Sequence, residues 1–375
     1  MPGDNEAPQR IVRLTPLADV LARIDALVKP VDVHAAVELA AAHDRTLSHD
    51  IVIERPIPAA ALALRDGWAV QSDLTADAGA YAPAPIPGAV RVDVGEPLPS
   101  DADAVAPFDA VILRDAEVQA LSPVAPGEGV LPAGADGARG ATLIPAGRRL
   151  SRLHVTLLAA SGVERVAVRE PRMRVARARA RGDRIIDAAV ECVAHAIACQ
   201  GGIAVISDVN ESLHHVMTQA DADAVVVVGG TGCGRNDTAV ATLAAAGEVA
   251  AHGIAFVPAE TAAFGMVGAR PVLLLPGRLD GALAAWHMLG RALLARLAAS
   301  NEPPCLRAAT LTRKISSGVG LAELVPVRCE SHSATPIASS YVPIAALAQA
   351  NGWIFIAPES EGFQAESEVM IRPWP

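Results

Sequence analysis

The stretch DAVVVVGGTGCGRND, residues 223–237, decides the fold. Ala224 and four valines form a short apolar run that ends at Gly229 and Gly230, and an acid follows at Asp237. A fully apolar strand that leads into glycines is typical of a buried parallel strand whose loop presents backbone N–H groups to an anion. Glycine suits such a loop because a ligand can then approach the backbone without a Cβ in the way. The stretch therefore predicts a phosphate-bearing ligand at the edge of an α/β sheet.

Composition excludes several classes of protein. Of the 375 residues, 51% are hydrophobic, but no apolar run approaches the ~20 residues that a membrane helix needs. The polar N-terminus is unlike a signal peptide, so we expect a cytoplasmic protein with no membrane association. A net charge of -10 argues against nucleic acid as a partner. The five cysteines lack CxxC spacing, which argues against a metal cage or a disulfide framework.

The second half of the chain predicts an α/β domain followed by a β domain. Strands and helices alternate over residues 171–300, as in a doubly wound α/β fold, which binds ligands at the carboxyl ends of its strands. After the proline-rich link at 301–304, alternating hydrophobicity in residues 303–375 predicts a separate, barrel-like β domain.

The first half predicts a helical domain that is interrupted by a small β domain. Residues 11–48 and 134–170 form the expected helical linking domain, with one helix beginning at Thr15 and Pro16 and a second from Asp32 to about His43. Between them, residues 49–133 consist of short β-like pieces cut by proline and glycine. The predicted fold class is therefore α/β and multidomain.

Six motifs occur in an order that can be compared with known families. In chain order they are DGWAV (66–70), PLPSDADAV (97–105), GADGARGATLIPAGRRL (134–150), GGTGCGRND (229–237), LPGRLDGA (275–282) and NGWIFIAPESEGFQAESEV (351–369).

With these motifs the chain resembles, over nearly its full length, the molybdopterin molybdotransferase family of molybdenum cofactor biosynthesis. That family includes the C-terminal domain of gephyrin, and its motifs DGYAV, PLPPGADAV, GGxSxGxxD and LPGNPVSA correspond to those found here. The resemblance implies that the α/β domain binds molybdopterin.

The resemblance also implies an activity and an assembly. Family members cleave adenylylated molybdopterin and insert molybdate into its dithiolene, assisted by Mg²⁺. Molybdopterin and molybdate would therefore be substrates of this chain. The family forms elongated homodimers, with sites between the α/β domain of one subunit and the inserted β domain of the other. A molybdoenzyme or another cofactor-biosynthesis protein is a possible protein partner.

The residues at the family's motif positions are the candidate site. The acids with an expected catalytic role are Asp66, Asp136 and Asp237, and the expected metal ligands are Asp183 and Asp237. The residues expected to bind the molybdopterin ligand are Gly229, Gly230, Thr231, Gly232, Gly234, Pro276, Gly277 and Arg181.

Several positions depart from the family pattern. Where the family has TGDEL, this chain has RGDRI at 181–185, and where the family has the lysine of PGKP, it has Glu260. Arg278 and Leu279 replace Asn and Pro, and Gly232 replaces a serine. Each change removes a polar contact that is expected to hold substrate, and Glu260 places a negative charge where an anion is expected.

Each candidate acid also has a structural alternative. Asp66 before glycine could form a turn, Asp136 could be a solvated loop acid, and Asp183 and Asp237 could cap the helices that follow them. Arg177, Arg179 and Arg181 would share one face of a strand. They could form a solvated edge, or they could replace the missing lysine as anion ligands.

Three functions remain open from the sequence. The first is insertion of molybdate into adenylylated molybdopterin with release of AMP. The second is a non-catalytic paralogue that binds molybdopterin and delivers it to a partner. The third is a molybdopterin adenylyltransferase, whose glycine loop is similar but which lacks the flanking β domains predicted here.

Overall fold

The structure is a computed structural model that describes residues 9–33, 36–115, 117–178 and 183–373. The chain forms two compact units. One unit comprises Met1–His49 and Gly147–Pro375, and the other comprises Asp50–Ala146. No helix in the described ranges is both long enough and apolar enough to cross a membrane.

The α-helices of the described residues all belong to the first unit, and the second unit has two short 3₁₀ helices, Ser72–Thr75 and Phe108–Ala110. The α-helices are α1 (Leu17–Leu27), α2 (Arg152–Ala160), α3 (Arg184–Cys199), α4 (Leu213–Thr218), α5 (Ala239–Ala246), α6 (Leu279–Ala285), α7 (Arg291–Leu297) and α8 (Ile344–Leu347).

A six-stranded sheet confirms the predicted α/β fold. In spatial order its strands are Ile203–Ile206, Arg172–Arg177, Ala224–Val228, Arg270–Leu275, Ala263–Val267 and Glu248–His252. The first four strands run parallel to one another. Ala263–Val267 pairs antiparallel with the fourth strand, and Glu248–His252 pairs antiparallel with Ala263–Val267. Every residue of Ala224–Val228 is buried, which explains why this strand is a continuous apolar run.

A π-helical turn joins α6 to α7. Residues Trp286–Gly290 continue the helix with a wider hydrogen-bonding pattern. Gly290 is required within this turn because a Cβ there would lie 2.1 Å from the Trp286 ring. Helical turns of this kind are frequent at functional sites.

The linking segment is less helical than expected. The helix expected from Asp32 to His43 is wrong: strand Val37–Glu38 and a 3₁₀ turn, Leu39–Ala41, occupy its described part. The strand pairs with Arg165–Val166, which provides tertiary hydrogen bonds that an isolated helix would forgo. His34 and Ala35 lie outside the described residues.

The second unit consists of short β-strands, as the sequence predicted. They are Ile51–Val52, Leu62–Ala63, Gly67–Val70, Ala84–Pro85, Val90–Val92, Ala104–Ala106, Val111–Arg114, Glu117–Ala120, Val130–Leu131 and Thr142–Ile144. Thr142–Ile144 pairs with Ile51–Val52, so the unit closes on itself at its two ends.

The C-terminal region confirms a barrel. Five strands close on one another: Arg307–Leu311, Ala322–Glu330, Ser333–Pro336, Gly352–Ile356 and Glu368–Pro373. The same sheet continues through Ile254–Val257 to Thr15–Pro16, and Ile315–Ser316 pairs separately with Gly362–Phe363. Short strands Thr46–Leu47 and Val168–Arg169 pair in the linking segment.

The α/β sheet and the barrel share one hydrophobic core. Trp353 and Leu324 of the barrel lie in the same buried cluster as Trp286 and Leu289 of the π-helical turn, and each is at most 1% exposed. Burial of apolar area of this kind is the main stabilising contribution to folding. The barrel is therefore packed into the first unit rather than attached to it.

His287 of the π-helical turn predicts an acid-sensitive fold. It is 4% exposed, and in the described residues neither ring nitrogen has a hydrogen-bond partner. Burial first, then Arg291 and Arg372, lower its pKa from 6.5 to about 3. Below pH 6.5 the unfolded chain binds a proton that the folded chain does not, so the stability present above pH 6.5 is lost as the pH falls toward 3.

We therefore expect His287→Leu to reduce the loss of melting temperature over this pH window. Calorimetry of the variant, the wild type and the control His214→Leu, whose histidine is exposed, measures the effect. Equal acid-induced losses in the wild type and His287→Leu would show that another group governs the sensitivity.

Candidate functional site

A cleft of about 370 Å³ lies at the carboxyl ends of the two central parallel strands. The glycine loop, the start of α3, the segment before α6 and the segment before α8 form its walls. The lining residues are Asp183, Ile185, Ile186, Gly230, Thr231, Gly232, Asp237, Thr261, Pro276, Gly277, Arg278, Leu279, Asp280, Tyr341, Val342 and Ile344.

Two glycines of the loop have backbone angles that favour glycine. Gly229 has a φ of 92° and Gly230 a φ of 70°, in the left-handed region. A Cβ on Gly230 would also lie 2.8 Å from the Cβ of Ala178. Gly230 lines the cleft, and Gly229 precedes it at the end of the strand.

The side chain of Gln9 forms hydrogen bonds with the glycine loop and with the start of α5. Its amide nitrogen donates to the carbonyls of Gly230 at 3.1 Å and Gly232 at 2.8 Å, and its amide oxygen accepts from the N–H of Ala241 at 2.9 Å. The side chain is buried, at 3% exposure. Sequence reasoning missed this residue because it lies far from the loop in the chain and in no motif.

Thr231 is fixed on the other side of the loop. Its hydroxyl lies 2.9 Å from that of Thr261, and its carbonyl lies 3.0 Å from Nε2 of His252. Thr231 is 2% exposed, and Thr261 lines the cleft beside it. These contacts fix the position of Thr231 within the loop.

Asp237 lies against the loop it was predicted to serve. Its Oδ2 accepts a hydrogen bond of 2.9 Å from the N–H of Gly234. A Cβ on Gly232 or Gly234 would lie within 2.8 Å of the same oxygen. Glycine at these two positions therefore leaves room for the Asp237 carboxylate at the cleft.

Asp183 caps α3, which confirms the structural alternative for this residue. Its Oδ1 accepts from the N–H groups of Ile185 and Ile186, at 3.1 and 3.3 Å. Asp183 also lines the cleft together with Asp237. Its role as a metal ligand stays a prediction.

Arg278 lines the cleft, although its position had been expected to lose a polar contact. Its guanidinium donates to both carboxylate oxygens of Asp280, at 3.1 and 2.5 Å, and lies 4.9 Å from the centre of the Tyr341 ring. The hydrogen bond to Asp280 raises the pKa of Arg278. The side chain is half-exposed, so it presents a fixed positive charge to the cleft.

Asp280 links the cation to the C-terminal domain. It is 3% exposed and also accepts from the N–H groups of Gly281 at 2.8 Å and Val342 at 3.0 Å. A buried carboxylate is stable only when it is paired and hydrogen-bonded, as this one is. Sequence reasoning missed both Asp280 and Tyr341, because no local pattern shows that two domains meet there.

The alternating arginines fall partly outside the described residues. Arg177 donates to Asp187 at 2.8 Å and is 12% exposed, so its guanidinium is already paired. Arg179 and the predicted ligand residue Arg181 lie outside the described residues. Glu260, in place of the family's lysine, is half-buried and acts electrostatically on Arg278.

Asp66 and Asp136 belong to the second unit, and both are exposed there. Asp66 accepts a hydrogen bond of 2.8 Å from the N–H of Val94, so it also stabilises a turn. Asp136 lies in a turn in which its N–H donates to the carbonyl of Ile57. Their catalytic roles stay predictions.

The carboxylates of the cleft suit a metal ion that is also coordinated by a small molecule bound in the cleft. The described residues contain no group of three or more His, Cys, Asp or Glu side chains that could hold a metal ion by themselves. Asp183 and Asp237 nevertheless line one cleft. Mg²⁺ commonly takes one or two carboxylates and completes its shell with substrate phosphate oxygens and water, so two acids fit it.

Similar proteins are known. A curated relative, molybdopterin molybdenumtransferase 1 of Mycobacterium tuberculosis, is 29% identical over 324 residues, which are 72% of this chain and 75% of the relative. The crystal structure of the MoeA molybdopterin biosynthesis protein of Pyrococcus horikoshii matches 97% of this chain and 100% of its own, with a TM-score of 0.80 and 25% identity. A molybdenum cofactor biosynthesis protein of Pyrococcus furiosus shares the fold, with a TM-score of 0.63, 17% identity and coverage of 96% and 100%.

Family models match the chain in three successive segments. The MoeA N-terminal region (domains I and II) matches residues 15–162, a molybdopterin-binding domain matches 180–296, and the MoeA C-terminal region (domain IV) matches 308–374. The cleft lies in the second segment, with Tyr341, Val342 and Ile344 contributed by the third. The chain belongs to the MoeA family of molybdopterin molybdotransferases, which serve molybdenum cofactor biosynthesis.

Proposed function

We propose that the cleft binds molybdopterin and that the chain inserts molybdate into adenylylated molybdopterin with release of AMP. One observation carries the proposal. In the described residues, the N–H groups of Gly230, Thr231 and Gly232 have no hydrogen-bond acceptor, and all three residues line the cleft. Unpaired N–H groups after a buried parallel strand are suited to a phosphate.

Arg278 supports the proposal as the cation of the cleft. A guanidinium can donate to a phosphate while it keeps a carboxylate partner, because it has five N–H donors. Asp280 and Tyr341 fix its position, so little conformational entropy is lost when an anion binds. Arg278 thereby takes the role that the family assigns to the lysine replaced by Glu260.

Asp183 and Asp237 are the residues that would hold Mg²⁺, with ligand oxygens completing its shell. When bound, Mg²⁺ would neutralise charge on the phosphoanhydride that joins molybdopterin to AMP. Asp183 can do so while it caps α3, since only its Oδ1 is used by the cap.

The proposed reaction has two steps, hydrolysis of the phosphoanhydride and then insertion of molybdenum into the dithiolene. Water adds across the phosphoanhydride, AMP leaves with one phosphate, and the other phosphate stays on molybdopterin at the loop amides. The dithiolene sulfurs then bind molybdenum as molybdate oxygen leaves as water. Asp237, at the loop, would accept the proton of the attacking water. Asp66 and Asp136 are proposed as further catalytic acids, contributed by the inserted domain.

A second candidate is a non-catalytic paralogue that delivers molybdopterin to a molybdoenzyme or another cofactor-biosynthesis protein. Glu260 favours it, because an acid that acts electrostatically on Arg278 weakens the positive potential of the cleft. Such a protein would bind the same ligand at the same loop without releasing AMP.

The deciding experiment incubates the purified protein with adenylylated molybdopterin, Mg²⁺ and molybdate and measures AMP release. A parallel reaction without molybdate shows whether cleavage depends on it. Release of AMP that Asp237→Asn abolishes would establish the transferase. Tight binding without AMP release would establish the delivery protein instead.

We also propose that the chain forms a symmetric homodimer, the commonest closed assembly. The prediction is a sedimentation mass of about two chains at micromolar concentration. A mass that stays at one chain, 38.5 kDa, across that range would contradict it.

Gly230→Asp is expected to abolish molybdopterin binding. The new side chain would collide with Ala178, in a left-handed backbone, and place a negative charge beside the loop amides. The matched control is Gly268→Asp, whose glycine also has a positive φ but whose Cβ would meet nothing within 4 Å. Calorimetric titration with molybdopterin measures the effect. Wild-type affinity in a folded Gly230→Asp variant would show that the loop is not the site.

Arg278→Gln is expected to weaken molybdopterin binding by about tenfold, the value of one charge-assisted hydrogen bond. Asp280→Asn is introduced with it, so that no buried carboxylate is left without its cation. Glu260→Lys is expected to tighten binding, because it adds a positive charge near Arg278. Arg328→Gln, in an exposed pair with Glu330, is the control. Unchanged affinity in the double variant would remove Arg278 from the site.

A further inference from the structure

A second cleft in the first unit shares no lining residue with the molybdopterin cleft. It has a volume of about 210 Å³, and α7 and the segment between α7 and the barrel form much of its wall. Its polar lining includes Thr46, Arg149, Gln200, Arg291 and Ser300. Arg149 lies within the motif at 134–150, but the proposed reaction uses none of these residues.

Two arginines line this cleft, Arg149 and Arg291, and Arg372 also acts electrostatically on Arg291. Burial first, then Arg372 and Arg149, lower the pKa of Arg291. Arg149 donates to the carbonyl of Cys199 at 2.7 Å, and Arg372 lies over the Phe355 ring. The guanidinium of Arg291 has neither an ion pair nor a hydrogen bond within the described ranges. A partly buried cation without a partner is costly, so this arrangement favours an anion between the arginines.

Glu302, the acid that lines the cleft, already interacts with two neighbouring residues. Glu302 lies 3.3 Å from Nε of Arg148, and its Oε1 accepts a hydrogen bond of 3.0 Å from the N–H of Arg149. His287, which interacts with both Arg291 and Arg372, stays neutral down to low pH and supplies no negative charge. Cys305 also lines the cleft and favours the charged form of Arg291, but by less than either arginine disfavours it. In the described chain, the net effect of these neighbours on Arg291 is therefore repulsive.

Thr46 supplies a hydroxyl group to the wall of the same cleft. It is 2% exposed, yet it lines the cleft, and its hydroxyl has no hydrogen-bond partner among the residues described. The hydroxyl of Ser300, which accepts from the N–H of Glu302 at 3.3 Å, still has its own proton to donate. Because Thr46 lies on the wall of the cleft, its hydroxyl is available to donate to an oxygen atom of a ligand there.

We propose that this cleft is a second anion site, which binds a tetrahedral oxyanion between the guanidiniums of Arg291 and Arg149 and the hydroxyl of Thr46. The ligand is either a free inorganic ion or the phosphate group of a small molecule, since both present the same oxygens. Arginine forks suit such oxygens, and a threonine hydroxyl adds one directed donor.

The test is calorimetric titration of the full chain with inorganic phosphate, sulfate, molybdate and glycerol 3-phosphate in chloride buffer. We expect one oxyanion per chain at this site. Arg291→Met should weaken its binding by about tenfold or more, and Thr46→Val, which keeps the volume, by a smaller factor. Arg328→Met and Gly230→Asp should leave it unchanged. Tighter binding of glycerol 3-phosphate than of inorganic phosphate would identify a phosphate ester as the ligand, and the reverse order would identify a free ion.

Melting temperatures separate this role from a structural one. In oxyanion-free buffer Arg291→Met removes repulsion from two arginines, so its melting temperature should equal or exceed that of the wild type. Added phosphate should raise the melting temperature of the Gly230→Asp variant, which lacks the loop site, and should not raise that of the Gly230→Asp/Arg291→Met double variant. The proposal is overturned if the double variant keeps the response to phosphate, or if Gly230→Asp alone removes it.

Discussion

The shared core of the α/β sheet and the C-terminal barrel is the constraint on which the ligand cleft depends. Because Trp353 and Leu324 pack in one cluster with Trp286, the barrel has a fixed position against the sheet. That position brings the segment at Tyr341 and Val342 to the carboxyl ends of the parallel strands. A cleft that sequence motifs assign to one domain is therefore built by two.

Charge in the cleft is arranged in a way that the family motifs do not suggest. Arg278 and Asp280 replace small or neutral residues of the family motif, yet the buried carboxylate of Asp280 holds the half-exposed guanidinium of Arg278 at the cleft. In the proposed site, Arg278 supplies from a neighbouring segment the positive charge that the family has as a lysine at the position of Glu260. The comparison of motifs alone records only the loss of that lysine.

Sequence reasoning predicted the parts of this protein that local physics decides. The apolar run Ala224–Val228 fits a buried strand, and the two glycines that follow it need backbone angles that other residues avoid, so the strand and the loop follow from a short stretch of sequence. The helix expected at 32–43 was wrong because tertiary pairing with Arg165–Val166 overrides helical spacing. Gln9 and Tyr341 could not have been found, since each reaches the site through contacts with distant segments.

The three hydrogen bonds of Gln9 give the glycine loop a dependence on the beginning of the chain. A loop built of glycines loses much conformational entropy when it is ordered, and here one side chain fixes it through two carbonyls and the first turn of α5. The position of the Gln9 side chain and the order of the loop are thus thermodynamically linked. Any event that draws Gln9 away would lower affinity at the cleft without touching a residue that contacts the ligand, and an occupied cleft would in turn hold Gln9 in place.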